Sequence, residues 1–135
     1  MALGVIQPPM RYGVKAAVVM GILLPALETY RRGIGTWRIN FTTMFEDYWA
    51  ALLLLACAWA VARRRPTATL LLLAVWGAVT GMILIATVGQ IEATLRGTDL
   101  EARNTQVLVA KLLLLAFSAS GLVSTFRDAA HRHDA

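Results

Sequence analysis

Four long apolar runs, separated by clusters of charged residues, constrain this chain more than any other feature of its sequence. They lie at about residues 12–30, 43–62, 67–91 and 107–126. A helix needs about 20 residues to cross roughly 30 Å of hydrocarbon, because each residue adds about 1.5 Å. The most apolar stretches, 52–62 and 69–89, show no polar face at helical spacing. The sequence therefore predicts an all-α membrane protein with four transmembrane helices.

The composition agrees with a membrane protein and disfavours other classes. The chain has 135 residues, of which 58% are hydrophobic and 16% are charged. Soluble domains average about 45–50% apolar and about 25% charged residues. The net charge of +5 comes from basic residues at the ends of the apolar runs, where membrane proteins carry them. We therefore expect the lipid bilayer as a partner and no nucleic acid.

The basic residues also predict an orientation. Arg63, Arg64 and Arg65 lie in the short turn between the second and third runs. Short loops rich in arginine are typical of the cytoplasmic side, so we expect a bacterial inner (plasma) membrane with both termini in the cytoplasm. The segment 127–135 would then be a cytoplasmic tail. A short turn also makes its two helices antiparallel neighbours, so the spans are expected to form an antiparallel bundle.

An amphipathic segment precedes the second span. Trp37, Phe41 and Phe45 recur at a spacing of four residues, while Arg38 and other polar residues occupy the opposite face. Aromatic side chains favour the interface between membrane and water. The pattern predicts a short interfacial helix over about residues 36–47, between the first and second spans.

Small residues recur along two of the spans. Lipid tails give helices no hydrophobic reason to associate, so membrane helices rely on small residues that let their backbones approach closely. The stripes either pack within the chain or, on the third span, form the seam of a homo-oligomer. The residues expected to pack helices are Gly13, Ala17, Gly21, Gly77, Gly81 and Gly89.

Polar and charged side chains collect at the outer level of all four spans. Alternate helices run in opposite directions, so the ends of the first and third spans meet the starts of the second and fourth. Ionisable groups in a membrane are costly and usually face the bundle interior or a wet cavity. The candidate contacts for a ligand, an ion or a partner are Glu28, Arg31, Arg32, Arg38, Glu46, Asp47, Gln90, Glu92 and Lys111.

Two interpretations of this group remain open: it marks a membrane interface, or it lines a polar cup open to the outside. Lys111 distinguishes them, because it is the one charge well inside the fourth run. It either snorkels to the surface or pairs with a carboxylate. We expect a pair with Glu28, Glu46, Asp47 or Glu92.

The sequence shows no motif for catalysis. It contains no phosphate loop, zinc signature or nucleophile motif, its single cysteine lies within a span, and both histidines lie in the tail. We therefore expect no catalytic residues, metal or cofactor. The first hypothesis is a non-enzymatic accessory, assembly or interaction subunit of a membrane complex, with other membrane subunits or a second copy as partners. The alternatives are a small oligomeric transporter or channel that uses the polar cup, and a membrane-embedded enzyme.

Overall fold

The computed structural model describes residues 11–98 and 104–133, and all regular structure within these two ranges is helical. Four of the helices are long and apolar enough to cross a membrane, which confirms the prediction of an all-α chain with four helices of spanning length. In chain order the helices of the described residues are α1 (Tyr12–Arg32), α2 (Thr36–Ile39), α3 (Phe41–Ala62), α4 (Ala68–Leu95) and α5 (Asn104–His133).

Two segments differ from the sequence-based expectation. The helix expected over 36–47 is divided, because α2 ends at Ile39 and α3 begins at Phe41. Asn40 separates them with a non-helical backbone (φ −140°, ψ 69°), and asparagine favours helix ends because its side chain competes for backbone hydrogen bonds. The segment expected as a tail after the fourth span continues α5 as far as His133.

Tight turns connect the helices at both ends. Gly33 follows α1 with a φ of 78°, a left-handed conformation that glycine adopts without steric cost, and its N–H donates to the Thr29 carbonyl at 2.8 Å. At the other end, Arg64 and Thr67 also have positive φ values, 53° and 64°, in the arginine-rich turn before α4. Both connections are short, so the long helices that they join lie close together.

The core forms where three helices meet at Trp76. This side chain is fully buried, and its indole Nε1 donates to the Gly13 carbonyl of α1 at 3.3 Å. Its ring lies against Gly121 of α5, where an added Cβ would come within 2.5 Å of a ring carbon. Other fully buried core residues are Ala17, Met20, Leu54 and Leu72.

The small residues of α1 pack within the chain. Gly13 lies against Thr125 of α5, where an added Cβ would overlap the hydroxyl oxygen. Gly21 lies against Leu55 of α3, at 2.7 Å by the same measure, and Ala17 is fully buried between them along the helix. This side of α1 therefore makes close contacts with α3 and α5.

The small residues of α4 do not pack within the described part of the chain. An added Cβ at Gly77, Gly81 or Gly89 would meet no atom within 4 Å. The expectation of packing inside the chain is wrong for these three, because α4 turns a different face to the core. That buried face carries Leu72, Trp76, Val79 and Ile83.

Candidate functional site

A cavity of about 850 Å³ lies between α1, α3 and α5, with Ala86 of α4 in its wall. We call it the α1–α5 cavity. Its volume falls in the range of about 300–1,000 Å³ that is typical of small-molecule sites. Its polar lining residues are Glu28, Arg31, Arg32, Thr43, Asp47, Gln106 and Lys111, and its apolar lining includes Leu24, Leu27, Val107, Ala110 and Leu114.

Glu28 forms ion pairs with two arginines of α1 at the cavity. Its side chain is buried, with 8% of the residue exposed, which is unusual for an acid. The Arg32 guanidinium forms an ion pair with the Glu28 carboxylate, and Arg31 Nη1 lies 3.8 Å from Glu28 Oε2. These spacings of three and four residues bring side chains together on one face of a helix. The carboxylate thus holds both arginines at the cavity.

Lys111 is attached to α4 through uncharged oxygen atoms. Its amine donates to Gln90 Oε1 at 2.8 Å and to the Ala86 carbonyl at 3.3 Å. Gln90 Nε2 donates to Asn104 Oδ1 at 2.6 Å, and Asn104 Nδ2 donates to Thr94 Oγ1 at 2.9 Å. We expected a carboxylate beside Lys111, and the structure gives the amide oxygen of Gln90, another predicted residue, as a partner.

Asp47, in the first turns of α3, lines the cavity. It is half-buried and lines the cavity together with Thr43, which precedes it by one helical turn. The adjacent Tyr48 hydroxyl shares a hydrogen bond of 2.6 Å with Thr29 Oγ1. This bond fixes the start of α3 against the end of α1, next to Glu28.

The structure brings together five of the nine predicted residues in the cavity lining: Glu28, Arg31, Arg32, Asp47 and Lys111. Gln90 reaches the cavity through its contact with Lys111. The remaining three also lie outside the lining. Arg38 and Glu46 are exposed, and Glu92, also exposed, forms an ion pair with Arg96 on its own helix.

Sequence reasoning missed two polar lining residues, Thr43 and Gln106. Thr43 lies one turn before Asp47, and Gln106 lies one turn before Ala110, which also lines the cavity. Residues four apart share a helix face, so this spacing could have predicted that Thr43 lies on the same face as Asp47. Tyr30, at the end of α1, also lines the cavity and was not predicted.

A row of aromatic rings lies at the same end of the molecule as the cavity. Trp37 of α2 contacts Phe41, Phe41 stacks on Phe45, and Phe45 stacks on Trp49, with ring centroids 5.5–5.9 Å apart. Trp37 also meets Tyr48 edge-on at 4.9 Å. We call the first four residues the aromatic row. Their rings cover one side of the start of α3.

At the opposite end, α1 and α5 are in direct contact. Arg11 Nη1 lies 3.3 Å from Asp128 Oδ1, and the Tyr12 hydroxyl shares a hydrogen bond of 2.8 Å with Ser120 Oγ. Gly13 adds the close approach to Thr125. The two helices therefore meet at one end and enclose the cavity at the other.

No protein-family model, curated protein or solved structure matches the chain. Among residues 11–98 and 104–133, no three His, Cys, Asp or Glu side chains are grouped so that they could hold a metal ion. Function therefore has to be inferred from the geometry of the site.

Proposed function

We propose that the four long helices cross a bacterial inner membrane as an antiparallel bundle, with both termini in the cytoplasm. The hydrogen bond between Thr29 and Tyr48 joins the end of α1 to the start of α3, and that between Gln90 and Asn104 joins the end of α4 to the start of α5. Such pairs are expected when consecutive helices run in opposite directions. In this arrangement α2 and the aromatic row lie at the outer membrane interface.

In this membrane, the protein acts as a non-enzymatic accessory subunit of a larger complex and binds a ligand in the α1–α5 cavity. The observation that carries this proposal is the cavity itself. The helices α1 and α5 meet near Gly13 and Thr125 and flank the cavity at their other ends, where the lining residues Leu27 and Ala110 are exposed. In the proposed membrane this exposed edge would face lipid. A ligand that resides in the bilayer can enter at such an edge without crossing water.

The core below the cavity favours binding over conduction. Met20, Leu54, Leu72 and Trp76 fill the centre and are fully buried. A channel needs polar groups at several depths of the membrane. Below the cavity, the buried Ser118 hydroxyl donates instead to the Leu115 carbonyl of its own helix at 3.0 Å, which leaves Thr80, among the described residues, as an isolated buried hydroxyl on α4.

The exposed face of α4 supports the accessory role. Gly77, Gly81 and Gly89 lie open on this face, beside Leu84 and Ile85, which are 47% and 75% exposed. Small residues let a second membrane helix approach its partner closely. We propose that a helix of another subunit, or of a second copy of this chain, packs on this face.

Site-specific photo-crosslinking in living cells tests the accessory role. We expect a probe at position 81 or 85 to give one discrete protein adduct, and a probe at position 113, on exposed Leu113 of α5, to give none. The crosslinked partner should also co-purify with the chain without crosslinking, at a fixed molar ratio. Equal adducts from both helices would contradict a specific partner face.

Flux measurements test the transporter alternative. We expect proteoliposomes that contain the chain alone to release ions and small solutes no faster than empty liposomes. A flux that Ala110→Phe blocks would overturn the accessory role, because Ala110 lines the cavity and a phenylalanine there would fill it.

A further inference from the structure

We propose that the ligand of the α1–α5 cavity is a membrane lipid with an anionic phosphate headgroup, bound with an acyl chain against the apolar wall. This inference rests on the proposed function, since it names the ligand class of the same cavity. It follows from three properties of the cavity: its apolar length, its charge and its depth.

The apolar wall can hold the part of an acyl chain that lies next to the headgroup. Leu24 and Leu114 lie at its deep end, and Leu27, Val107 and Ala110 continue the wall towards the polar end. From Leu24 to the arginines at the end of α1, the helix rises by roughly 10 Å. Leu27 and Ala110 are exposed at the gap between α1 and α5, so in the proposed membrane an acyl chain bound there stays continuous with the bilayer. A small polar solute would leave this wall without a contact.

The polar end carries more positive than negative charge. Among the described lining residues, Arg31, Arg32 and Lys111 lie together with Glu28 and Asp47, which is an excess of one formal positive charge in this part of the lining. Guanidinium groups bind phosphate oxygens through paired N–H donors, and an ammonium binds phosphate as a point charge. A phosphate monoanion complements this excess among the described lining residues, whereas a zwitterionic headgroup has no net charge to complement it.

The aromatic row puts the polar end at the depth of lipid headgroups. Trp49 of the aromatic row and its neighbour Tyr48 are 49% and 37% exposed on α3, and exposed Trp and Tyr side chains favour the membrane interface. Thr43 and Asp47 lie in the same turns of α3 and line the cavity. A phosphate beside Arg31 and Lys111 would therefore lie where lipids carry their phosphates.

Native mass spectrometry of the full-length, delipidated protein tests this inference. The probes are phosphatidylglycerol, phosphatidylcholine with the same acyl chains, and glycerol phosphate, which has the headgroup chemistry but no chains. We expect one tightly bound phosphatidylglycerol and about fivefold weaker phosphatidylcholine, the effect of about one interfacial charge. Glycerol phosphate should not bind at the same concentrations. Equal binding of the two lipids, or of glycerol phosphate and phosphatidylglycerol, would overturn the proposal.

Matched variants locate the binding. Arg31→Gln should weaken phosphatidylglycerol about fivefold and phosphatidylcholine by less, because the choline cation offsets the charge of its phosphate, while Arg31→Lys keeps most of the binding because it keeps the charge. Arg38→Gln is the control, because Arg38 is exposed at the same end and does not line the cavity. An equal loss in Arg38→Gln would show general attraction to the protein surface and contradict the site.

A second pair of variants tests the apolar wall. Ala110→Phe should weaken both lipids, because it fills the cavity. Ala116→Phe changes an exposed alanine of the same helix outside the cavity and should have no effect. If neither lipid responds to Ala110→Phe, the lipid assignment fails. The position-81 crosslink and the flux test are independent of lipid identity, so they separate this failure from failure of the accessory role.

Discussion

At the scale of single residues, Gly121 shows how closely the helices of this chain approach one another. An added Cβ there would lie 2.5 Å from the ring of Trp76, which is fully buried and hydrogen-bonded to α1. We expect Gly121→Ala to lower the free energy of unfolding by about 1–3 kcal/mol, as overpacking does. Thermal unfolding in detergent, followed by tryptophan fluorescence, measures the loss.

Gly77→Ala is the matched control for this substitution. Its added Cβ would meet no atom within 4 Å, so the substitution brings no clash. Alanine also restricts the unfolded chain more than glycine does, so we expect unchanged stability or a gain of up to about 1 kcal/mol. Equal losses at both glycines would refute the contact between Trp76 and α5.

The buried acid Glu28 gives a second prediction at this scale. Glu28→Gln removes the charge that Arg31 and Arg32 share and leaves two cations close together. Removing one partner of a buried pair costs about 3–5 kcal/mol, and the partial exposure of both arginines reduces this to about 1–3 kcal/mol. Unfolding in detergent at constant ionic strength measures the change.

Glu92→Gln provides the comparison, because Glu92 also forms an ion pair within its own helix. Its partner Arg96 is largely exposed, with 69% of its side chain accessible. Exposed pairs contribute at most about 1 kcal/mol, so we expect a small change. A larger loss at Glu92 than at Glu28 would mean that burial does not decide the strength of these pairs.

At the scale of whole helices, the contact between α4 and α5 depends on Lys111 and Gln90. Hydrogen bonds to charged groups contribute about 1.5–3 kcal/mol, and this one joins the two helices beside the cavity. We expect Lys111→Met and Gln90→Leu each to lower stability by about 1–2 kcal/mol. The double variant should lose at least about 0.5 kcal/mol less than the sum, because both single changes break the same bond. Strict additivity would contradict this coupling.

The sequence predicts the helices better than it predicts their rotation. Length and hydropathy identify α1, α3, α4 and α5 directly, because a span must be about 20 residues long and apolar. The rotation of α4 could not be predicted, since lipid is as apolar as a protein core and α4 is apolar all round. The positions of its glycines therefore did not predict which face of α4 packs against the core.

At the scale of the whole molecule, the sequence predicts the level of the candidate residues along the helices, but not which helix face each one occupies. The predicted antiparallel arrangement would bring Glu28, Asp47 and Lys111 to one level, and all three line the cavity. Which of them face the same cavity depends on rotation, because successive residues lie about 100° apart around a helix. Asp47 therefore lines the cavity while its neighbour Glu46 is exposed.

The orientation of the molecule can be tested by labelling single cysteines in intact cells. The proposed bundle puts the arginine-rich turn in the cytoplasm and the loop after α4 outside. We expect a membrane-impermeant maleimide to label Thr98→Cys in intact cells, in a background that carries Cys57→Ser. Arg64→Cys should react only after permeabilisation, which also serves as the control that both sites are accessible, since both positions are exposed.

Each labelling pattern has a different physical meaning. The reverse pattern would mean that the positive charge of Arg63–Arg65 does not set the orientation, and the polar end of the cavity would then face the cytoplasmic leaflet. Labelling of both sites in intact cells would put Arg64 and Thr98 on one side, although α4 lies between them and has the length of a complete span. That outcome would contradict the four-span arrangement, because α4 could then not cross the membrane.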